Sequence, residues 1–393
     1  MFESITFGRD SLVDLTGLGE LAECLLYYKK VHVIVDHGGF TRLSRVCGPE
    51  TLLGLIEDGH LAVTYLENRP VVVTQLVGGR EQHGFALVQG QGKESQRLVP
   101  QLFQELTGKQ GRGRRIAQRL LNRLSTKTYA AEDLSQSLGA IKDITYTDRL
   151  VPQILAARGV SGLPTAPRFR VHEEKAAFFI DTNLDFAMLN VEYRRINPDH
   201  NLEPALVLDL LYEGYAEVDF AASLAAELAP TPTESVIAEE RIASVLEASG
   251  RSLDRLSAFR SFVVPHNGSI ADAINGRTRT FDELRTLLGK ADRFKQWVHE
   301  QAPDEDLAKA YIDQVTDTSW RTGSTTKNLR FVLFNAAQIA AGAVIAGPGG
   351  AIAGVALAAT DSYLLDRLLT GWRPHQFVRG PLQKFLDGAS TPK

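Results

Sequence analysis

The run VHVIVDHGGF, residues 31–40, decides the first half of the fold. Val31, Val33, Ile34 and Val35 are β-branched, and such a run reads as a strand buried within a sheet. Asp36, His37, Gly38 and Gly39 end it, at the position where open α/β sheets gather their ligand contacts. Downstream, GPETLLGLIEDG reads as a short helix bounded by glycines, and HLAVTYLENRPVVVTQLV as two strands around an Asn-Arg-Pro turn. A small α/β domain follows from this alternation.

A helical stretch begins near Leu98, and RGVSGLPTAPRFRV then supplies Gly159, Gly162, Pro164 and Pro167 as punctuation. FRV and KAAFFIDT look like a strand pair that can extend the first sheet. From Asn201 onward the spacing is helical, with Thr280 or Asp282 expected to cap TFDELRTLLGKADRFKQWVHEQ. The expected division is therefore an α/β domain with a basic helical extension over 1–165, then a mainly α-helical domain over 166–393.

Composition sets outer limits. At 393 residues the chain can hold more than one core, and 44% hydrophobic with 23% charged residues is an ordinary globular balance. A net charge of -4 gives no global attraction to nucleic acid or anionic lipid, so binding of that kind needs a local patch. Nucleic acid is accordingly a disfavoured partner. Cys24 and Cys47 match neither a disulfide framework nor a zinc pattern, and the first residues lack the regions of a signal peptide. A cytoplasmic, bacterial protein with conditional membrane association is the expectation.

The common catalytic signatures fail one by one. GQGKES lacks the first glycine of a phosphate-binding loop, Leu87 standing in its place. In DTNLDFAMLNVE, Asp181, Asn183, Asp185 and Glu192 have the spacing of a calcium loop, but Phe186 stands where the turn demands glycine. No metal and no cofactor is expected. What remains is Asp36 with His37: an imidazole can move a proton, a neighbouring carboxylate can orient it, and the glycines would let a substrate approach the backbone. His60 and His83 could join them. The blander reading is a strand ending in a Gly-Gly turn beside a solvated histidine.

The second local feature is basic. In GKQGRGRRIAQRLLNRLSTK, helical spacing gathers Arg112, Arg115, Arg119 and Arg123 on one side, with Ile116, Leu120 and Leu124 as the adjoining apolar stripe. Such a helix suits an anionic surface of headgroups or phosphates, or it is a solvated face paired with acids elsewhere in the fold.

The third feature is the charge-free run FVLFNAAQIAAGAVIAGPGGAIAGVALAAT from Phe331 to Thr360. Gly347, Pro348 and Gly350 break it, so it reads as a helical hairpin over about 327–370. Gly350, Gly354, Ala358 and Ser362 form a ridge of small residues on the second arm, and Gly342 lies on the first. Neither arm supplies the ~20 clean apolar residues of a spanning helix. The segment resembles the Ala/Gly-rich hydrophobic hairpin of pore-forming colicins and similar bacterial toxins, over roughly residues 330–369. That resemblance implies a hairpin hidden in a helical domain until membrane contact.

The leading expectation is a membrane-acting, pore-forming or permeabilising effector, of the kind found in toxins or antiviral defence. Its partners would be an anionic lipid membrane reached through the arginine helix, an activating protein, and further copies of the chain. One alternative is a hydrolase or nuclease directed at phosphates through Asp36 and His37. The other is a non-catalytic adaptor whose hairpin is buried core.

Overall fold

The β-branched run at residues 31–35 is the centre of a parallel sheet. The structure is a computed structural model that describes residues 3–9, 15–89, 93–129, 141–142, 144–174, 177–198, 201–224, 226–229, 236–237, 269–300 and 374–387. Strands β1 (Ser4–Phe7), β2 (Lys30–Val35), β3 (Leu61–Leu66), β6 (Ser125–Lys127) and β9 (Glu227–Ala229) lie in the order β6-β3-β2-β1-β9. Every pair in this sheet is parallel, so all the carboxyl ends share one edge. The N-terminal region is thus α/β, as expected.

Helices α1 (Leu15–Tyr27), α2 (His37–Cys47) and α3 (Pro49–Glu57) connect these strands. The Asp36 carboxylate accepts a 2.8 Å hydrogen bond from the Gly39 amide and caps α2. Gly38 and Gly39 therefore form the first helical turn instead of a Gly-Gly turn in a loop, because a capped amide is already satisfied in the helix. Helices α4 (Glu94–Thr107) and α5 (Gln110–Leu121) precede β6. Phe40 packs edge-on against Tyr65 and parallel to Phe103, joining α2, β3 and α4 in one core.

The two strands of the HLAVTYLENRPVVVTQLV stretch do not pair with each other. Only Glu67 separates β3 from β4 (Asn68–Val77), which leaves the parallel sheet and pairs along its whole length with β5 (Arg80–Gln89). Asn68, Arg69 and Pro70, expected as a turn, lie inside β4. The actual turn is Gly78-Gly79, whose positive φ angles of 59° and 80° suit a two-residue hairpin loop. Strands β7 (Phe169–Glu174) and β8 (Ala177–Thr182) complete an antiparallel sheet in the order β4-β5-β8-β7. The strand pair after the Gly/Pro-rich loop thus adds to β5, and the compact unit runs past residue 165 to Gly250.

Helices α6 (Ile144–Ala157), α7 (Phe186–Ile196) and α8 (Pro204–Ser223) bury one face of this second sheet. Phe85 meets Tyr212 at 5.2 Å and Phe178 at 5.7 Å between ring centroids, pinning β5 and β8 to α8.

The other compact unit comprises Met1–Phe2 and Arg251–Lys393. Its described residues are helical: α9 (Ile270–Asn275), α10 (Phe281–Leu288), α11 (Asp292–Glu300), α12 (Pro374–Phe377) and α13 (Gln383–Asp387). Thr280 and Glu283 cap α10 reciprocally, so Thr280 is the cap of the two residues proposed from sequence. The hairpin expected over 327–370, with Phe331, Gly342, Gly347, Pro348, Gly350, Gly354, Ala358 and Ser362, lies outside the described residues.

Among the described residues no helix is long and apolar enough to cross a membrane. For the described residues this corrects the expectation of membrane and pore-forming character. The longest described helix, α8, has the length of a span but carries Asp209, Glu213, Glu217 and Asp219 in its sequence, each costly in hydrocarbon.

Candidate functional site

The parallel register decides which side chains meet at the carboxyl edge of the first sheet. Val35 of β2 lies opposite Tyr65 of β3, so the first residue of α2, His37, comes to stand over the neighbouring strand. His37 Nδ1 is 3.2 Å from the Tyr65 hydroxyl. Tyr65 is fully buried, whereas His37 is half-buried and Gly38 beside it is exposed. The hydroxyl thus orients the ring through Nδ1.

Charge surrounds this pair. Burial pushes the Tyr65 hydroxyl well above its ordinary pKa, and the nearby Glu94, Glu67 and Asp36 carboxylates add to the effect while Arg97 opposes it. Tyr65 consequently stays protonated at any working pH. It can donate to Nδ1, or accept from Nδ1–H and leave Nε2 as the basic nitrogen. Arg69, at the start of β4, places a guanidinium nitrogen 4.0 Å from the second Asp36 oxygen. Both Arg69 and Arg97 are exposed. Two cations, a helix N-terminus and an oriented imidazole therefore share one edge.

Other carboxyl-edge groups serve the scaffold. Glu67 accepts a 3.0 Å bond from the Ser95 amide and a second bond from the Ser95 hydroxyl, which holds the first turn of α4 against the end of β3. Asn68 and Tyr129 exchange bonds of 2.9 and 2.7 Å and hold the chain beyond β6. Just after β1, Arg9 pairs with Glu213 while its amide donates to Glu217 at 2.7 Å, which ties this strand end to α8.

The two histidines that could have joined His37 lie elsewhere in the fold. His83 is buried in the antiparallel sheet, its Nδ1 2.9 Å from the Thr74 hydroxyl, and His60 precedes β3 at the opposite edge. Tyr65, like Arg69 and Arg97, is a candidate site residue that sequence reading missed: a tyrosine in LAVTYLE carries no motif and becomes a neighbour only through the β2/β3 register.

The arginine helix is α5. Arg119 makes a bidentate contact with Glu57, at 2.9 and 2.7 Å from one guanidinium nitrogen, and Arg112 lies 2.6 Å from Glu50. Both acids belong to α3. The Arg115 guanidinium donates to the Gly111 carbonyl at 3.4 Å, and Arg123 lies beyond the end of the helix. Half of the expected anion-facing row is thus bound to the protein's own carboxylates. The calcium-like spacing is used for a different purpose: Asp185 accepts from the Ala187 and Met188 amides at 3.0 and 3.1 Å and caps α7. Among the described residues no group of three His, Cys, Asp or Glu side chains could hold a metal ion.

No family model, no curated protein and no solved structure matches this chain.

Proposed function

We propose that the carboxyl edge of the parallel sheet binds a phosphate-bearing substrate and hydrolyses it, as a phosphate-directed hydrolase or nuclease. The observation that carries this reading is the 3.2 Å contact between His37 Nδ1 and the Tyr65 hydroxyl, which orients an accessible imidazole at the end of a strand. Nε2 takes a proton from a water attacking phosphorus, the P–O bond to the leaving group breaks as the new one forms, and the departing oxygen is protonated by the imidazolium or by solvent. The charge that accumulates on the phosphate oxygens is met by Arg69, Arg97 and the first turn of α2. Asp36 has a different role from the one expected: as the α2 cap it fixes where His37 begins the helix, and it holds Arg69 nearby.

The test is hydrolysis of nucleoside triphosphates, cyclic dinucleotides, single-stranded nucleic acid and aryl phosphodiesters, with and without divalent cations. His37→Ala should lower turnover by about 10²–10⁴-fold, the range for loss of a positioned acid-base group. Asp36→Ser keeps a capping side chain and should retain the fold, separating the cap from the chemistry. Activity untouched by His37→Ala in a folded protein would sink the reading.

A further inference from the structure

We propose that the free edge of β4 is a self-association surface, on which a second copy of this chain pairs antiparallel through Val71–Val77. Among the described residues β4 is an edge strand of the antiparallel sheet, and nothing pairs with its outer side. The opposite edge, β7, carries Arg170, His172, Glu173 and Glu174, which discourage pairing by another chain. Residues Val71–Val77, VVVTQLV, contain no charge, no proline and no glycine. A run of that composition on an open edge is a template for another strand.

The hairpin fixes which groups are available. In a two-residue hairpin the flanking residues, Val77 and Arg80, form a hydrogen-bonded pair, and the bonding alternates from there. Val77, Gln75, Val73 and Val71 therefore direct their backbone groups to β5, whereas Leu76, Thr74 and Val72 turn theirs outward. Pro70 is next on the outward side, where its missing N–H interrupts no existing pair and ends the template.

An antiparallel two-fold centred on Thr74 uses all these groups at once. Thr74 pairs with Thr74 of the other copy, and Val72 with Leu76. Arg69 falls opposite Gly79, so no like charges confront each other. Leu76 is 74% exposed, and Val73 and Val77 are also exposed, so apolar surface leaves water as the strands join. A seven-residue contact spans about 23 Å at ~3.3 Å per residue and turns two four-stranded sheets into one. The association is isologous and closes on itself.

Sedimentation of the full chain across a concentration series tests this, together with a pairing of cysteine variants. A dimer is expected, weakened at least tenfold by Leu76→Lys and by Thr74→Pro. In the proposed register Val73 lies opposite Gln75 of the other copy at ~4.5 Å between Cα atoms, within disulfide reach. Mixed Val73→Cys and Gln75→Cys proteins should then cross-link under mild oxidation. Either variant alone should not, its thiols being diagonal at ~7–8 Å. Cys24 and Cys47 are buried and do not compete. A chain that stays monomeric throughout, a dimer indifferent to both edge substitutions, or cross-linking no greater in the mixture than in each variant alone overturns the proposal.

Discussion

Gly113 of α5 lies so close to the backbone of α4 that a Cβ built on it would be 2.5 Å from the Phe103 carbonyl oxygen and 2.6 Å from the Gln104 amide nitrogen. Backbone cannot swing aside as a flexible side chain can. The two helices cross at a distance that only glycine permits.

Gly113→Ala should therefore destabilise the α/β unit by about 1–3 kcal/mol, the range for overpacking a fitted site. Gly111, two residues earlier in the same helix, has open space at its Cβ position. Gly111→Ala should stabilise by roughly 0.5–1 kcal/mol through helix propensity alone. Urea denaturation of the two variants gives opposite signs if the crossing is the cause.

Lys295 gives the C-terminal unit a pH signature. Burial lowers its pKa to about 8, with Asp292 opposing the shift. The folded state thus disfavours the ammonium that the unfolded chain keeps up to its ordinary value of about 10.5. Below pH 8 both states are protonated and the full penalty applies. As pH rises from about 8 towards 10.5 only the folded state has released the proton, so stability should increase, and Lys295→Met should flatten that rise. Thermal unfolding followed between these limits measures it.

His83 acts on the acidic side. Its burial lowers the pKa, and Glu81 pulls weakly the other way. Its neutral form is favoured in the fold, so stability is full above the unfolded value near 6.5 and falls as pH drops below it. His83→Gln should reduce the slope of stability against pH between neutrality and mild acid, leaving whatever His32, lowered by the same cause, contributes.

The Arg119–Glu57 pair is bidentate yet exposed on the arginine side, with 63% of that side chain accessible. Arg119→Ala should cost no more than about 1 kcal/mol, and less in high salt. A larger loss would mean that the stem of Arg119 packs against α3.

The buried strand was readable because Val31, Val33, Ile34 and Val35 are β-branched and three of them are consecutive, so apolar side chains fall on both faces with only His32 between them. The capping box at Thr280 was readable for a similar reason, since its chemistry is local. The hairpin was not found, although Gly78-Gly79 between β-branched stretches is a recognised two-residue turn; the Asn-Arg-Pro tripeptide drew the turn too early. Asp36 and His37 were legible as a strand end. Tyr65 and Arg69 were not, because the contact of Tyr65 with His37 and that of Arg69 with Asp36 are set by strand register and by the one-residue step from β3 to β4, and neither has a signature in the chain.

That one-residue step has a consequence for engineering. Glu67, bonded to Ser95, is the whole joint between two sheets of different type, and Asn68 is tied to Tyr129 at once. Neither sheet can be lifted out as a cassette, and an insertion at this joint would shift Tyr65 and Arg69 apart. Gly78-Gly79, at the far end of the same ribbon, is where added sequence would leave both sheets in register.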